Sequence, residues 1–322
     1  MKERIPMNMA ENIHCSLKTG GRRLLFCLLF CALLISGAAG AARAETYGEN
    51  AFGFVDAVMD SRDGIPEDAE GRLARIREVG VLRVATEPYF APQEYIDPAL
   101  SGQDRYIGAD MELARMIAER MGVTLEIVPM KFTEVLPSLA LGECDLAISA
   151  LAYTPGRAAQ YTLSLGYHFS KETEGSGLLI RTEDRKEIRS LEDLAGRDLA
   201  VQRGTLQESL LAEGVTDYRQ FRRLVSVREV YLALQQGKAD AAMVDRETAR
   251  SYLESNPDCG LMLVENLGFG MTEECRGDRI AARKGENQLI AFVNDIIREV
   301  VESGEYERWY RQHALNADWL GL

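Results

Sequence analysis

Four short stretches hold the residues with chemistry to offer, and each follows an apolar run of the kind that forms a buried strand. Glu87-Pro88-Tyr89-Phe90 follows Val81–Thr86, and Thr154-Pro155-Gly156-Arg157 comes shortly after Asp145–Ser149. Arg203-Gly204-Thr205 follows Asp198–Gln202, and Asp245 closes the run Ala239–Val244. An arginine fork can hold a carboxylate through two parallel hydrogen bonds. A Gly-Thr turn that opens a helix presents free N–H groups and the positive end of the helix dipole to an anion. An aspartate is acceptor-only and suits an ammonium, while Tyr89 or Phe90 can stack on an apolar or cationic group. Together these groups suit a small zwitterion such as an amino acid. Singly, each has a plainer reading. Arg157 reads as a surface ion-pair residue, Asp245 as the cap of the helix after it, Gly204-Thr205 as an ordinary junction, and the aromatics as rim packing. The order and spacing of all four carry the weight.

The elements that must position these residues alternate in type. Asp68–Val79 reads as helix stopped by Gly80, Val81–Thr86 as strand, Asp110–Met121 as helix stopped by Gly122, and Val123–Val128 as strand. Phe132–Leu141 is a helix stopped by Gly142, and Asp145–Ser149 a strand. A second series runs through strand 177–181, a helix starting at Ser190, strand Asp198–Gln202, helices 205–213 and 226–236, strand Ala239–Val244 and helix 246–254. The end is helical, over Asn287–Ser303 and Glu305–His313. Such alternation means βαβ units and mostly parallel sheets. An internal echo, Leu139-Ala-Leu-Gly142-Glu-Cys-Asp145 against Leu234-Gln-Gln-Gly237-Lys-Ala-Asp240, suggests two similar halves. Ligands of open α/β sheets bind beyond the carboxyl ends of the strands, where the four stretches stand.

Composition narrows the function classes. The chain has 322 residues, 37 basic and 50 acidic, with a formal charge of −13, 46% apolar and 27% charged residues, as in an ordinary globular protein of about two domains. The acidic balance argues against nucleic acid. Three histidines, His14, His168 and His313, leave little material for a histidine-built metal site, and no cofactor is called for. No Ser–His or Cys–His arrangement for nucleophilic catalysis stands out. Residues 1–44 read as an export signal, with Lys2, Arg4, Lys18, Arg22 and Arg23 before the apolar run Leu24–Ile35. Ala42-Arg43-Ala44 then offers a cleavage site before Glu45; the rival reading is a retained membrane anchor. The signal holds six of the basic and two of the acidic residues, so the remainder carries −17. Three cysteines stay with the mature chain. In an oxidising compartment Cys259 and Cys275, which flank one strand-like segment, are the candidate disulfide, and Cys144 reads as a buried free thiol. Residues 45–66, rich in Gly, Asp and Glu, read as a loose extension.

From about Gly80 to His313 the sequence resembles the exported solute-binding proteins of amino-acid ABC transporters, family 3. The motifs that carry the likeness are Val81-Leu-Arg-Val-Ala-Thr with its Pro/aromatic turn, Ile107-Gly-Ala-Asp-Met-Glu-Leu-Ala, Thr154-Pro-Gly-Arg157, Leu191-Glu-Asp-Leu-Ala-Gly196, Val201-Gln-Arg-Gly-Thr205, and Gln236-Gly-Lys-Ala-Asp-Ala-Ala-Met-Val-Asp245. The resemblance implies a two-lobe, type II clamshell α/β fold of the periplasmic-binding-protein kind, each lobe an open, mostly parallel sheet flanked by helices. It places 45–79 as an extension with one helix, lobe 1 at 80–176 plus 269–322 and lobe 2 at 177–268, with glycines near Gly177–Ile180 and Gly268–Gly270 as hinges. It puts the ligand α-carboxylate on Arg157 and the backbone at Gly204 and Thr205, and the α-ammonium on Asp245. Phe90, or less well Tyr89, covers the ligand. The partners it implies are an amino-acid-like ligand and a transporter permease, for a monomeric periplasmic protein that is not an enzyme.

The sequence also departs from that pattern. Ala152, and Ala150 beside it, stand where the family carries a ligand-touching hydroxyl, and Glu87 stands where binders of basic amino acids often have Asp. The stretch Phe269–Arg279 is longer and more acidic than the family's return strand. Two alternatives share the scaffold: a lyase of the cyclohexadienyl dehydratase type, enlisting Glu87 or Glu172 as acid, and a sensory or accessory binder without transport.

Overall fold

The computed structural model describes residues 48–170, 175–269 and 276–316. The export signal, the cleavage site after Ala44, Glu172, Gly270 and Cys275 lie outside the described residues. The first half runs α1 (Gly71–Val79), β1 (Val81–Thr86), β2 (Tyr89–Phe90), β3 (Glu94–Ile96), β4 (Tyr106–Ile107), α2 (Ala109–Met121), β5 (Thr124–Pro129), α3 (Phe132–Leu141), β6 (Leu146–Ala152), α4 (Pro155–Gln160) and β7 (Tyr161–His168). The second half follows with β8 (Ser176–Arg181), β9 (Asp198–Gln202), α5 (Leu206–Gly214), β10 (Gln220–Leu224), α6 (Val227–Gln235), β11 (Ala241–Asp245), α7 (Arg246–Ser255) and β12 (Leu261–Phe269). The chain then returns through β13 (Asp278–Arg283), α8 (Asn287–Glu302) and α9 (Glu305–Asn316).

Two five-stranded sheets result, ordered β5-β1-β6-β13-β7 and β10-β9-β11-β8-β12, with β2, β3 and β4 in a small antiparallel sheet. In each large sheet one strand, β13 or β8, runs against the other four, so the expected mostly parallel α/β architecture is what forms. Apolar clusters cover both faces of each sheet. Local signals explain most boundaries. α1, α2 and α3 stop at Gly80, Gly122 and Gly142, all with positive φ, where the free N–H turns back onto the last carbonyls. Thr205, Ser226 and Asp245 cap α5, α6 and α7 through their side chains.

Two expectations are corrected. The helix anticipated from Ser190 is a single 3-10 turn, Glu192–Leu194, because Asp193 folds back onto the Arg189 and Ser190 N–H groups and Gly196 takes positive φ. The described part of the extension is not loose. Val55 and Ser61 are fully buried, the Val55 N–H donates to Leu163 O at the edge of β7, and Phe54 lies under the Arg279 guanidinium at 4.2 Å. It follows a groove instead of presenting one face, so it shows no period to read. Gly177 and Gly268 face each other within the second sheet. At Gly177 a Cβ would lie 2.6 Å from Arg246 Cγ, so that glycine permits close packing. Cys144 is buried, as expected. Cys259 is half-buried with a free thiol among the described residues, and its candidate partner Cys275 lies outside them.

Candidate functional site

The carboxyl ends of β1, β6, β9 and β11 converge on a cavity of about 110 Å3, room for one small molecule. Arg157 reaches it from the first turn of α4. Thr154 caps that helix by accepting the Arg157 N–H at 3.1 Å, and Pro155 starts it with a φ already suited to the helix. The guanidinium then folds back. Nη1 donates to Ala152 O at 2.6 Å, and Nη2 donates across the cavity to Gly204 O at 3.1 Å. Phe132 lies 5.7 Å from its carbon. Burial lowers its pKa to about 10, which leaves it charged at neutral pH. A buried guanidinium answered by carbonyls and not by a carboxylate is a strong attractor for an anion.

Facing it are carboxyl groups. Glu87, 2% exposed, sits just beyond β1, with Gln202 from the end of β9 beside it. Burial drives its pKa to about 8 against the pull of the Gln202 amide, with Glu229 adding repulsion, so it holds its proton at pH 7. Behind it, Glu94 is 1% exposed and accepts from Ser149 Oγ at 2.9 Å; burial and then the neighbouring Asp110 raise it well above the ordinary range. Asp110 is itself held by Tyr306, by Tyr167 and by the Ala150 N–H. That last bond accompanies φ of +44° at Ala150, a left-handed conformation rare outside glycine.

Asp245 closes β11 and caps α7, accepting the Thr248 N–H at 2.8 Å. Burial raises its pKa, opposed by Thr248. Nearby are Glu247, Asp278 and His168. His168 Nε2 lies 3.3 Å from Glu247 and Nδ1 3.2 Å from Glu307, with the ring stacked on Tyr310 at 4.5 Å. Burial works against its charge, but Glu247, Glu307 and Asp278 outweigh it and hold the imidazole at about 10. Asp278 is raised by burial to about 7.

Of the residues expected from the sequence, Glu87, Phe90, Ala150 and Ala152 line the cavity, as do Arg157, Thr205 and Asp245. Tyr89 does not. It neighbours Phe90 on one strand, so the two side chains point to opposite faces. Phe90 packs against the cluster that includes Val227 and Val230, while Tyr89 is 56% exposed. Gly204 contributes otherwise than expected, because its carbonyl accepts from Arg157 and its N–H donates to Glu208 at 2.6 Å. The Thr205 hydroxyl caps α5 and donates to Gln202 O at 2.8 Å. Sequence reasoning passed over His168, Gln202, Glu247 and Asp278. The acidity of 269–279 was the one signal for Asp278, and nothing local marked the others. Among the described residues no group of three or more His, Cys, Asp or Glu is arranged to hold a metal ion, and no helix is long and apolar enough to cross a membrane.

Comparison with known proteins places this geometry in a lineage. The chain is 28% identical over 253 residues to the L-cystine-binding protein TcyJ of Escherichia coli K12, covering 78% of this chain and 87% of TcyJ. Among solved structures it is similar to the amino acid ABC transporter substrate-binding protein AbpA of Streptococcus pneumoniae bound to L-arginine. The TM-score is 0.67 and the identity 28%, over 75% of this chain and 97% of AbpA. It is also similar to the ancestral amino acid-binding protein AncCDT-1, a precursor of cyclohexadienyl dehydratase, with TM-score 0.65 and identity 26%, over 75% of this chain and 99% of that one. Residues 82–316 match a family profile that spans both sheets and every wall of the cavity, and the chain belongs to the bacterial extracellular solute-binding proteins, family 3.

Proposed function

We propose that the protein captures an amino acid with a cationic side chain between its two halves and delivers it to the permease of an ABC transporter, after export directed by residues 1–44. Arg157 takes the α-carboxylate and Asp245 the α-ammonium. Glu87 faces the far end of the side chain, and Phe90 covers the aliphatic part. The observation that carries this reading is the excess of acidic over basic groups on the cavity wall. Asp245, Glu247 and Asp278 line it against Arg157 and a His168 already engaged by two glutamates, and Glu87, protonated at pH 7 in the ligand-free site, gives up its proton when a cation is placed beside it. A ligand with net positive charge relieves that imbalance, and the similar AbpA holds L-arginine. Closure follows because Arg157–Gly204 and Glu87–Gln202 span the two halves, so a ligand bound at both walls favours the closed state. Lobes of 80–176 plus 269–322 and 177–268 are supported by the two separate sheets, with the crossings at the first residue of β8 and the last of β12.

The test is thermal unfolding of the purified protein with each L-amino acid and cystine. A ligand at about 100 times its Kd adds roughly 2.7 kcal/mol and raises Tm by several degrees. Shifts confined to acidic or apolar amino acids would overturn the cationic assignment. The lyase alternative keeps one supporting observation, a buried Glu87 protonated at neutral pH and able to donate as an acid. Consumption of a cyclohexadienyl acid by the protein would favour it over transport.

A further inference from the structure

An ammonium group brings three N–H donors to the cavity, and the walls assigned so far cannot answer all of them. Part of the Asp245 carboxylate is taken up by capping α7. Beside Arg157 the wall is Ala150 and Ala152, which carry no hydroxyl, and the Ala152 carbonyl already accepts from Nη1. We propose that Asp278 is a second acceptor for the ligand's α-ammonium and works with Asp245 as a two-carboxylate seat. This rests on the amino-acid-binding reading above.

The placement comes from sheet register. Asp278 opens β13 opposite Ala152 of β6 on one side and opposite His168 of β7 on the other, and it lines the cavity. A carboxylate therefore stands against the alanine wall, close enough to Arg157 for each to act on the other's charge. The groups that face it are His168 from β7, Arg157 from α4, Asp110 from α2, and Asp245 and Glu247 where α7 begins. Both ring nitrogens of His168 are engaged by Glu247 and Glu307, and both terminal nitrogens of Arg157 by carbonyls. No hydrogen-bond donor among the described residues reaches Asp278. Asp278 is half-buried, with its carboxylate open to the cavity and unclaimed by the protein, so it is free to accept a donor that arrives with the ligand. Burial leaves the carboxyl near pH 7, so it ionises readily once a cation is placed beside it.

The discriminating pair of probes is L-arginine and 5-guanidinopentanoic acid, which is arginine without its α-amino group. Titration calorimetry on the purified protein is run for wild type, Asp278→Asn and Asp278→Ser, with Tm of each as the check on folding. Both variants are expected to bind L-arginine about 10- to 100-fold more weakly and 5-guanidinopentanoic acid within about threefold of wild type. Unchanged L-arginine affinity, or an equal loss for both probes, overturns the assignment of Asp278 and leaves the amino-acid reading standing. If another amino acid and not arginine shifts Tm, the pair becomes that amino acid and its desamino acid, with the same criteria. A wild-type protein whose Tm no amino acid shifts overturns the amino-acid reading and this inference together.

Discussion

Replacing Arg157 by alanine tests the core of the site. The guanidinium is the only cation of the cavity wall whose hydrogen bonds go to neutral carbonyls among the described residues, so a ligand carboxylate has one strong partner there. Truncating one side of a buried, hydrogen-bonded charge pair costs about 2–5 kcal/mol of binding, or roughly 30- to 5000-fold in Kd. Stability should change far less. The variant loses bonds to Ala152 O and Gly204 O, each worth about 1.5–3 kcal/mol from a charged donor, but it also removes a charge whose pKa shows that burial disfavours it. These effects oppose each other, so the expected change in ligand-free Tm is within about 5 °C. Arg157→Lys should bind at least about tenfold more weakly than wild type, because a point charge cannot hold two carbonyls and a carboxylate in one plane. Calorimetric titration with the amino acid that shifts wild-type Tm, alongside thermal unfolding without it, separates binding from folding. An Arg157→Ala protein that binds within threefold of wild type would refute the reasoning, as would one that fails to bind because it no longer folds.

Other outcomes follow from the same geometry. Asp245→Asn keeps a capping side chain and should retain Tm while weakening amino-acid binding by at least about 10-fold; Asp245→Ala should also lose about 1 kcal/mol of stability, seen as a Tm lower by 2–4 °C. Equal binding by Asp245→Asn and wild type would remove the ammonium role. For Glu87 the folded-state pKa of about 8 lies above the ordinary 4.5, so its contribution is fully present below about pH 4.5 and is lost as pH rises through 8. His168, raised from 6.5 to about 10, acts in the same direction at higher pH, and its contribution is lost as pH rises through 10. Glu87→Gln should therefore melt progressively higher than wild type between pH 5 and 9; parallel melting curves across that range would contradict a buried, protonated Glu87. Gly108→Ala should destabilise by more than about 3 kcal/mol in urea unfolding, since φ is 125° and a Cβ would lie 2.2 Å from Gln93 O; a loss under 1 kcal/mol would show that this turn yields easily.

What could be read from the chain alone is what local chemistry dictates. Strand 81–86 and helix 132–141 have the expected limits because a β-branched or apolar run, a positive-φ glycine and a capping side chain act within a few residues. The strand-end motifs were legible for a related reason: in an open α/β sheet the carboxyl ends of parallel strands gather on one side, so order along the chain implies proximity in space. Tertiary structure decided the rest. Asp278 and Ala152 are 126 positions apart and meet only through antiparallel pairing of β13 with β6, a register that no local signal encodes. His168, Glu247 and Glu307 come from β7, α7 and α9, and the charge of each depends on the burial and neighbours that packing creates. Tyr89 and Phe90 are adjacent and chemically alike, and only the face that β2 turns toward α6 makes one a cavity wall and the other a surface residue. The extension around Phe54 and Val55 is buried without any periodic pattern, because it fills a groove made by elements more than a hundred residues away. Periodicity reports how one element meets a flat neighbour; long-range pairing and burial of charge are properties of the assembled fold.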